Sequence, residues 1–335
     1  MQFGILGSGS WATALAKILT DNGHRINWWV RNNDIIKHIR LRRHNPHYLS
    51  TAYFDNNLLQ LSDNVDEVVA SSDVIVLTVP SAYITDALKN VNPALLKGKK
   101  IVSAVKGILP DANLLLNEYL AASFEVEMKD YFAVMGPCHA EEVAAEKLSY
   151  LTFSGWDEEK TAEIAAHFQS EYINVKVNHD IIGVQYAAVL KNIYALGAGI
   201  AHGLDYGDNF LSVYIANAAN EMTVFLQKLI EKHIDPETAP INYSTSVYLG
   251  DLLVTCYSLH SRNRMFGNMI GKGYSVKAAI LELNMVAEGY NASKCIYKTN
   301  QQVQAEIPIA RTIYEILWEQ KTAEEGFKQI EQLLV

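Results

Sequence analysis

The stretch Gly7-Ser8-Gly9-Ser10-Trp11-Ala12 constrains this chain more than any other. The apolar run at residues 2–6 precedes it and the apolar-periodic run at 13–19 follows, so a strand feeds a glycine turn that opens directly into a helix. That is the context the fingerprint G-x-G-x-x-(G/A) needs in order to bind a dinucleotide. Gly7 would permit the tight turn, Gly9 would let backbone approach a pyrophosphate, and the small Ala12 would let helix pack closely on strand. The anion would sit on N–H groups at the positive end of the helix. A plain glycine turn is the alternative; both flanks being right favours the dinucleotide.

The next segments extend this start into a parallel sheet. Gly23 reads as a helix C-cap and residues 25–30 as the second strand. Arg31 at its end leans the cofactor toward NADP, while Asp34 is the alternative, a carboxylate for the ribose hydroxyl of NAD. Residues 73–80 are a continuous apolar run ended by Pro80, with Ser81 expected to cap a helix. Residues 100–104 form another buried strand that delivers Lys106 at its carboxyl end, where ligands of open parallel sheets bind. Residues 131–135 lead into Gly136-Pro137-Cys138-His139-Ala140, again strand, turn and helix start. Strand character recurs at 150–154 and 172–177 and then stops; from about residue 180 the pattern is helical, with stripes at 209–233, 275–286, 290–304 and 309–320.

Composition narrows the function classes. At 335 residues the chain has room for about two domains. Its net charge of −9 argues against nonspecific nucleic-acid binding, so the basic stretch at 37–44 reads as a solvated helix face. Three widely spaced cysteines, Cys138, Cys256 and Cys295, suit reduced thiols in a cytoplasm better than a disulfide framework. His44 and His47 flank Pro46 with no third ligand nearby, so no metal is expected. Adjacent helical residues point about 100° apart and no orienting group is visible, which disfavours Cys138 and His139 as a nucleophile and base. No uncharged apolar run reaches the length of a membrane span.

Lys191 sits in a row of apolar and small residues, Tyr186-Ala187-Ala188-Val189-Leu190 before it and Ile193-Tyr194-Ala195-Leu196 after Asn192. Burying a lysine is costly because desolvation disfavours its charge. A functional lysine and one snorkelling at a helix edge both fit this pattern. Ser261-Arg262-Asn263-Arg264 resembles an N-cap followed by a first turn suited to a phosphate, with a solvated turn as the alternative.

These motifs, in order along residues 4–318, resemble the bacterial type of NAD(P)-dependent glycerol-3-phosphate dehydrogenase. The resemblance is carried by the glycine turn, Asn45-Pro-His-Tyr-Leu, Val79-Pro-Ser, Ser103-Ala-Val-Lys-Gly-Ile, Gly136-Pro-Cys-His-Ala-Glu-Glu-Val and Leu190-Lys-Asn-Ile. Gly203-Leu-Asp-Tyr-Gly-Asp-Asn, Gly250-Asp-Leu-Leu-Val-Thr-Cys, Ser261-Arg-Asn-Arg, Val286-Ala-Glu-Gly and Ile307-Pro-Ile with Tyr314 complete it. It implies that Ser10, Trp11, Arg31, Tyr48, Lys106, Ala140, Arg262, Val286 and Glu288 lie around NADP or NAD. It further implies that Lys106, Gly136, Cys138, Lys191, Asp251, Ser261, Arg262 and Asn263 surround glycerol 3-phosphate, with Lys191 as the proton acceptor. Burial and the positive Lys106 should lower the Lys191 pKa from its usual value near 10.4. Three departures stand out: Cys138 replaces the family's usual serine, Asn217 falls where an arginine is common, and Ala12 stands at the third fingerprint glycine, which the motif tolerates.

The expected architecture is α/β: a doubly wound Rossmann-type dinucleotide domain over 1–180, then an all-helical substrate domain over 181–335, with the site in the cleft between. The expected function is reversible hydride transfer between NAD(P)H and dihydroxyacetone phosphate, serving glycerophospholipid synthesis in the cytoplasm. A small phosphorylated substrate is the expected partner, without nucleic acid or a membrane span; a homodimer is an open alternative to a monomer. The rival functions are dehydrogenation of another hydroxy-compound and noncatalytic dinucleotide sensing.

Overall fold

The computed structural model describes residues 1–231, 241–283 and 287–335, the side chains of 230 and 231 excepted. The chain forms two compact units, one of Met1–Val105 with Leu114–Ile181, the other of Lys106–Asn113 with Ile182–Val335.

The first unit is built on one eight-stranded sheet in the order β3-β2-β1-β4-β5-β6-β7-β8. Its strands are β1 (Phe3–Leu6), β2 (Ile26–Trp29), β3 (Leu59–Ser62), β4 (Val74–Leu77), β5 (Lys100–Ser103), β6 (Tyr131–Met135), β7 (Ser149–Gly155) and β8 (Ile173–Asn178). All neighbours are parallel except β6 and β7. The helices are α1 (Ser10–Asp21), α2 (Asn33–Arg42), α3 (Val65–Ala70), α4 (Ile84–Leu88), α5 (Leu116–Phe124), α6 (Ala140–Ala144) and α7 (Glu158–Ala166). Strands β1, β2, β4 and β6 are buried along their whole length, as apolar strands covered on both faces must be. Phe3, Ile5, Trp28, Val76, Phe132 and Phe153 join Ala12 and Leu15 of α1 in one core. The strand order reverses between β1 and β4, which puts the Gly7 turn at the topological switch point of the sheet.

Ser81 differs from expectation. Pro80 takes the N-cap position and Ser81 is the first residue of a short 3-10 turn, so its side chain does not cap a helix.

The second unit is helical: α8 (Ile181–Gly203), α9 (Asp208–Glu231), α10 (Asp251–Tyr257), α11 (Arg262–Gly271), α12 (Val276–Leu283), α13 (Glu288–Val303), α14 (Pro308–Trp318) and α15 (Ala323–Leu333). The ends of the predicted stripes at 209–233 and 275–286 fall outside the described residues. Helix α8 is long and apolar enough to cross a membrane, but 89% of that window is buried inside the structure, the mark of a core helix. It meets α11 backbone to backbone through two G-x-x-x-G pairs, Gly199 with Gly203 and Gly267 with Gly271. A Cβ added at Gly267 would lie 1.9 Å from the Leu196 carbonyl, and one at Gly199 would lie 2.1 Å from that of Arg264. Only glycine allows this approach, and it locks the helix carrying Lys191 against the helix that begins at Arg262.

Candidate active site

At the end of β1 the chain turns at Gly7 with φ +126°, a conformation that favours glycine. An added Cβ there would strike the Thr78 hydroxyl at 2.5 Å, whereas at Gly9 it would meet nothing within 4 Å. Gly9 is the N-cap of α1, no side chain caps that helix start, and no acidic residue lies in its first turn. Open space beside an uncapped helix N-terminus fits the pyrophosphate of a dinucleotide. Two side chains, the buried Trp28 and the half-buried Thr78, pin the carbonyls beneath the turn: Trp28 Nε1 donates to Gly7 O at 2.6 Å and Thr78 Oγ1 to Leu6 O at 2.7 Å.

The remaining residues expected near the cofactor in this unit spread around that turn. Ser10, Trp11 and Ala12 open α1, and Arg31 is exposed just after β2. Asn32 caps α2 by accepting from Asp34 N at 2.8 Å, and the exposed Asp34 carboxylate pairs with Lys37 at 3.2 Å. Tyr48 is half-buried in the loop after α2. Gly136 turns the chain after β6 with φ +130°, and Ala140 opens α6, which packs on α1. Cys138 lies buried in the core shared with Ala12 and Ala140.

In the second unit α8 presents Lys191, of which 4% is exposed. Its Nζ stands 2.5 Å from Asp251 Oδ1 at the start of α10. Burial is the largest influence and lowers the lysine pKa; Asp251 opposes it and Lys106 reinforces it, bringing the value to about 8. Asp251 Oδ2 is buried with no hydrogen-bond partner among the described residues. Desolvation thus acts as expected, and the opposing pull of Asp251 is the added finding.

Next to this pair, Asn192 Nδ2 donates to Lys106 O at 3.0 Å, Asn263 Nδ2 to Asn192 Oδ1 at 2.9 Å, and Gly289 N to Asn263 Oδ1 at 2.9 Å. This chain of amides ties the Lys106 segment to α8 and to the starts of α11 and α13. Ser261 caps α11 by accepting from Arg264 N at 3.3 Å, as its sequence predicts, and Arg262 is half-buried in that first turn. Glu288 opens α13 and Val286 lies outside the described residues. The second unit therefore gathers Lys106, Lys191, Asp251 and Asn263, while Gly136 and Cys138 belong to the first.

No role of its own is legible for Asn192 in the sequence. Only the G-x-x-x-G spacings on α8 and α11 hinted that these helices pack closely enough to link it to Asn263. At the second departure, Asn217 holds the backbone of Val335, donating to its oxygen at 3.0 Å and accepting from its N–H at 3.3 Å.

A doubly wound sheet with a dinucleotide turn, joined in one chain to a helical unit holding a buried lysine with a lowered pKa, defines a dinucleotide-dependent dehydrogenase. Two family models match: the NAD-dependent glycerol-3-phosphate dehydrogenase N-terminus over residues 2–161 and its C-terminus over 180–328. The chain belongs to the NAD-dependent glycerol-3-phosphate dehydrogenase family. A glycerol-3-phosphate dehydrogenase [NAD(P)+] from Bacillus velezensis is 33% identical over 97% of this chain and 92% of its own length. The solved glycerol-3-phosphate dehydrogenase of Coxiella burnetii is 25% identical, covers 98% of both chains and superposes with a TM-score of 0.85. A 2-dehydropantoate 2-reductase from Methylococcus capsulatus, 13% identical with a TM-score of 0.60 over 95% of this chain and 96% of its own, shares the fold alone.

Proposed function

We propose that this chain interconverts dihydroxyacetone phosphate and sn-glycerol 3-phosphate with NADPH or NADH, using Lys191 to move the proton. Family membership supports the substrate, and the buried Lys191–Asp251 pair beside Lys106 is the observation that carries the chemistry. A bound nicotinamide cofactor supplies the hydride to C2 in reduction and takes it back in oxidation. In reduction the Lys191 ammonium donates a proton to the ketone oxygen and is left as a neutral amine; in oxidation that amine accepts the hydroxyl proton. Asp251 orients the ammonium and keeps it protonated enough to serve as an acid, while Lys106 adds positive charge where the oxygen becomes negative. Ser261, Arg262 and Asn263 hold the phosphate at the start of α11.

The Gly7–Ala12 turn with Ser10, Trp11, Tyr48 and Ala140 receives the dinucleotide. Arg31 favours NADP through its 2′-phosphate. The reaction would supply glycerol 3-phosphate for glycerophospholipids, and three buried cysteines that form no disulfide support a cytoplasmic setting. The test compares NADPH oxidation with dihydroxyacetone phosphate, with dihydroxyacetone and with 2-dehydropantoate. Activity confined to the phosphorylated ketone is expected. Equal rates with dihydroxyacetone, or a preference for the oxo acid, would overturn the substrate; binding of NADPH with no turnover on any of them would make the chain a sensor.

A further inference from the structure

Three consecutive carbonyls in the glycine turn are held from below by buried side chains. Gly7 O accepts from Trp28 Nε1 at 2.6 Å, Ser8 O from Asn45 Nδ2 at 3.0 Å, and Gly9 O from Thr13 Oγ1 at 2.9 Å. A trans peptide points its C=O and N–H in opposite directions. Drawing these carbonyls inward therefore turns the N–H groups of Ser8, Gly9 and Ser10 outward together, the array an anion needs.

Asn45 is the centre of this arrangement. It is fully buried and makes the four hydrogen bonds a carboxamide can. Its Nδ2 donates to Ser8 O and to Thr13 Oγ1, the latter also at 3.0 Å, and its Oδ1 accepts from His47 N at 3.1 Å and Tyr48 N at 3.3 Å. The partners fix the amide's orientation, since a carbonyl must face the NH2 group and backbone N–H groups must face the oxygen. One side chain thus sets both the glycine turn and the loop that carries Tyr48.

We infer that Asn45 is a positioning residue of the dinucleotide site, aligning the Ser8–Ser10 N–H groups and placing Tyr48 without itself touching the cofactor. The inference rests on the reading that the Gly7–Ala12 turn receives the dinucleotide. Asn45→Asp keeps the size and the two accepted bonds but removes both donated ones. It is expected to raise the Kd for NADPH, read directly from the fluorescence of bound NADPH, by about tenfold or more, with the KM for dihydroxyacetone phosphate moving less than about twofold. A merely structural role would lower the melting temperature and leave that Kd and the KM contrast unmoved.

Gly9→Asp tests the underlying reading separately, because its Cβ meets nothing within 4 Å while its carboxylate would repel a pyrophosphate; it is expected to abolish binding. Lost binding in Gly9→Asp with an unchanged Kd in Asn45→Asp overturns the role of Asn45 alone. Unchanged binding in Gly9→Asp overturns the site. Should Asn45→Asp not fold, Thr13→Val decides: it removes one Asn45 acceptor and the hydroxyl bond to Gly9 O, leaving that carbonyl only its helix bond from Thr13 N, and is expected to raise the Kd about threefold or more, an unchanged value overturning the inference.

Discussion

Lys191 and Asp251 are bonded at 2.5 Å with 5% and 2% of their side chains exposed, and no other ion pair among the described residues is so fully buried on both sides. Taking both charges out of water is expensive, and the unpartnered Asp251 Oδ2 adds to that cost. Such a pair marks a candidate working site.

Its first consequence is a pH profile. In the proposed mechanism reduction needs the Lys191 ammonium, so its rate is expected to hold below about 8 and fall as pH rises through that value, while oxidation of glycerol 3-phosphate rises through it. Because Asp251 raises the lysine pKa, Asp251→Asn should move the reductive limb to lower pH and cut reduction at neutral pH by about 100-fold. Rates of both directions against pH, for the wild type and the variant, check this.

Close packing of α8 on α11 gives a stability prediction. Gly267→Ala would drive a methyl to 1.9 Å from Leu196 O, so the backbones must separate. A loss of about 2–3 kcal/mol is expected in chemical denaturation, and activity should fall with it because Lys191 and Arg262 ride on these helices.

In the proposed reading cofactor choice turns on Arg31, exposed just after β2. Arg31→Ala is expected to raise the KM for NADPH by about tenfold and leave that for NADH nearly unchanged. Steady-state kinetics with each reduced cofactor reads the difference.

Glu221 on α9 is buried and accepts from Ile309 N at 2.6 Å, Ala310 N at 3.2 Å and Tyr194 Oη at 3.2 Å, capping α14 from another helix. Burial pushes its pKa up to about 7 against those bonds. A carboxyl whose folded value lies above its unfolded one contributes stability at low pH that is lost as pH rises through the folded value. Melting temperature should therefore decline toward neutral pH, and Glu221→Gln should flatten that decline.

Much of the first unit was legible in the sequence because its inner strands are continuous apolar runs and Gly7, Gly23 and Pro80 punctuate them. Edge strand β3, Leu-Gln-Leu-Ser, was not: its apolar–polar alternation lasts only four residues, the shortest stretch that marks a strand, and no turn signal of glycine or proline bounds it. Lys191 stood out because a charge interrupts an apolar row, and Ser261 because a cap precedes a helix. Asp251 as its counter-ion and Asn45 as the hub of the glycine turn were hidden, since each acts through contacts with residues far away in the chain. Likewise no composition shift marks Lys106–Asn113 as part of the helical unit; the Asn192 bond to Lys106 O helps to hold it there.

The most direct test of Lys191 as the proton carrier is the rate of NADPH loss with saturating dihydroxyacetone phosphate in Lys191→Met, set beside the variant's NADPH affinity. The account predicts a fall of about 1,000-fold or more with affinity retained. A rate near that of the wild type would contradict it.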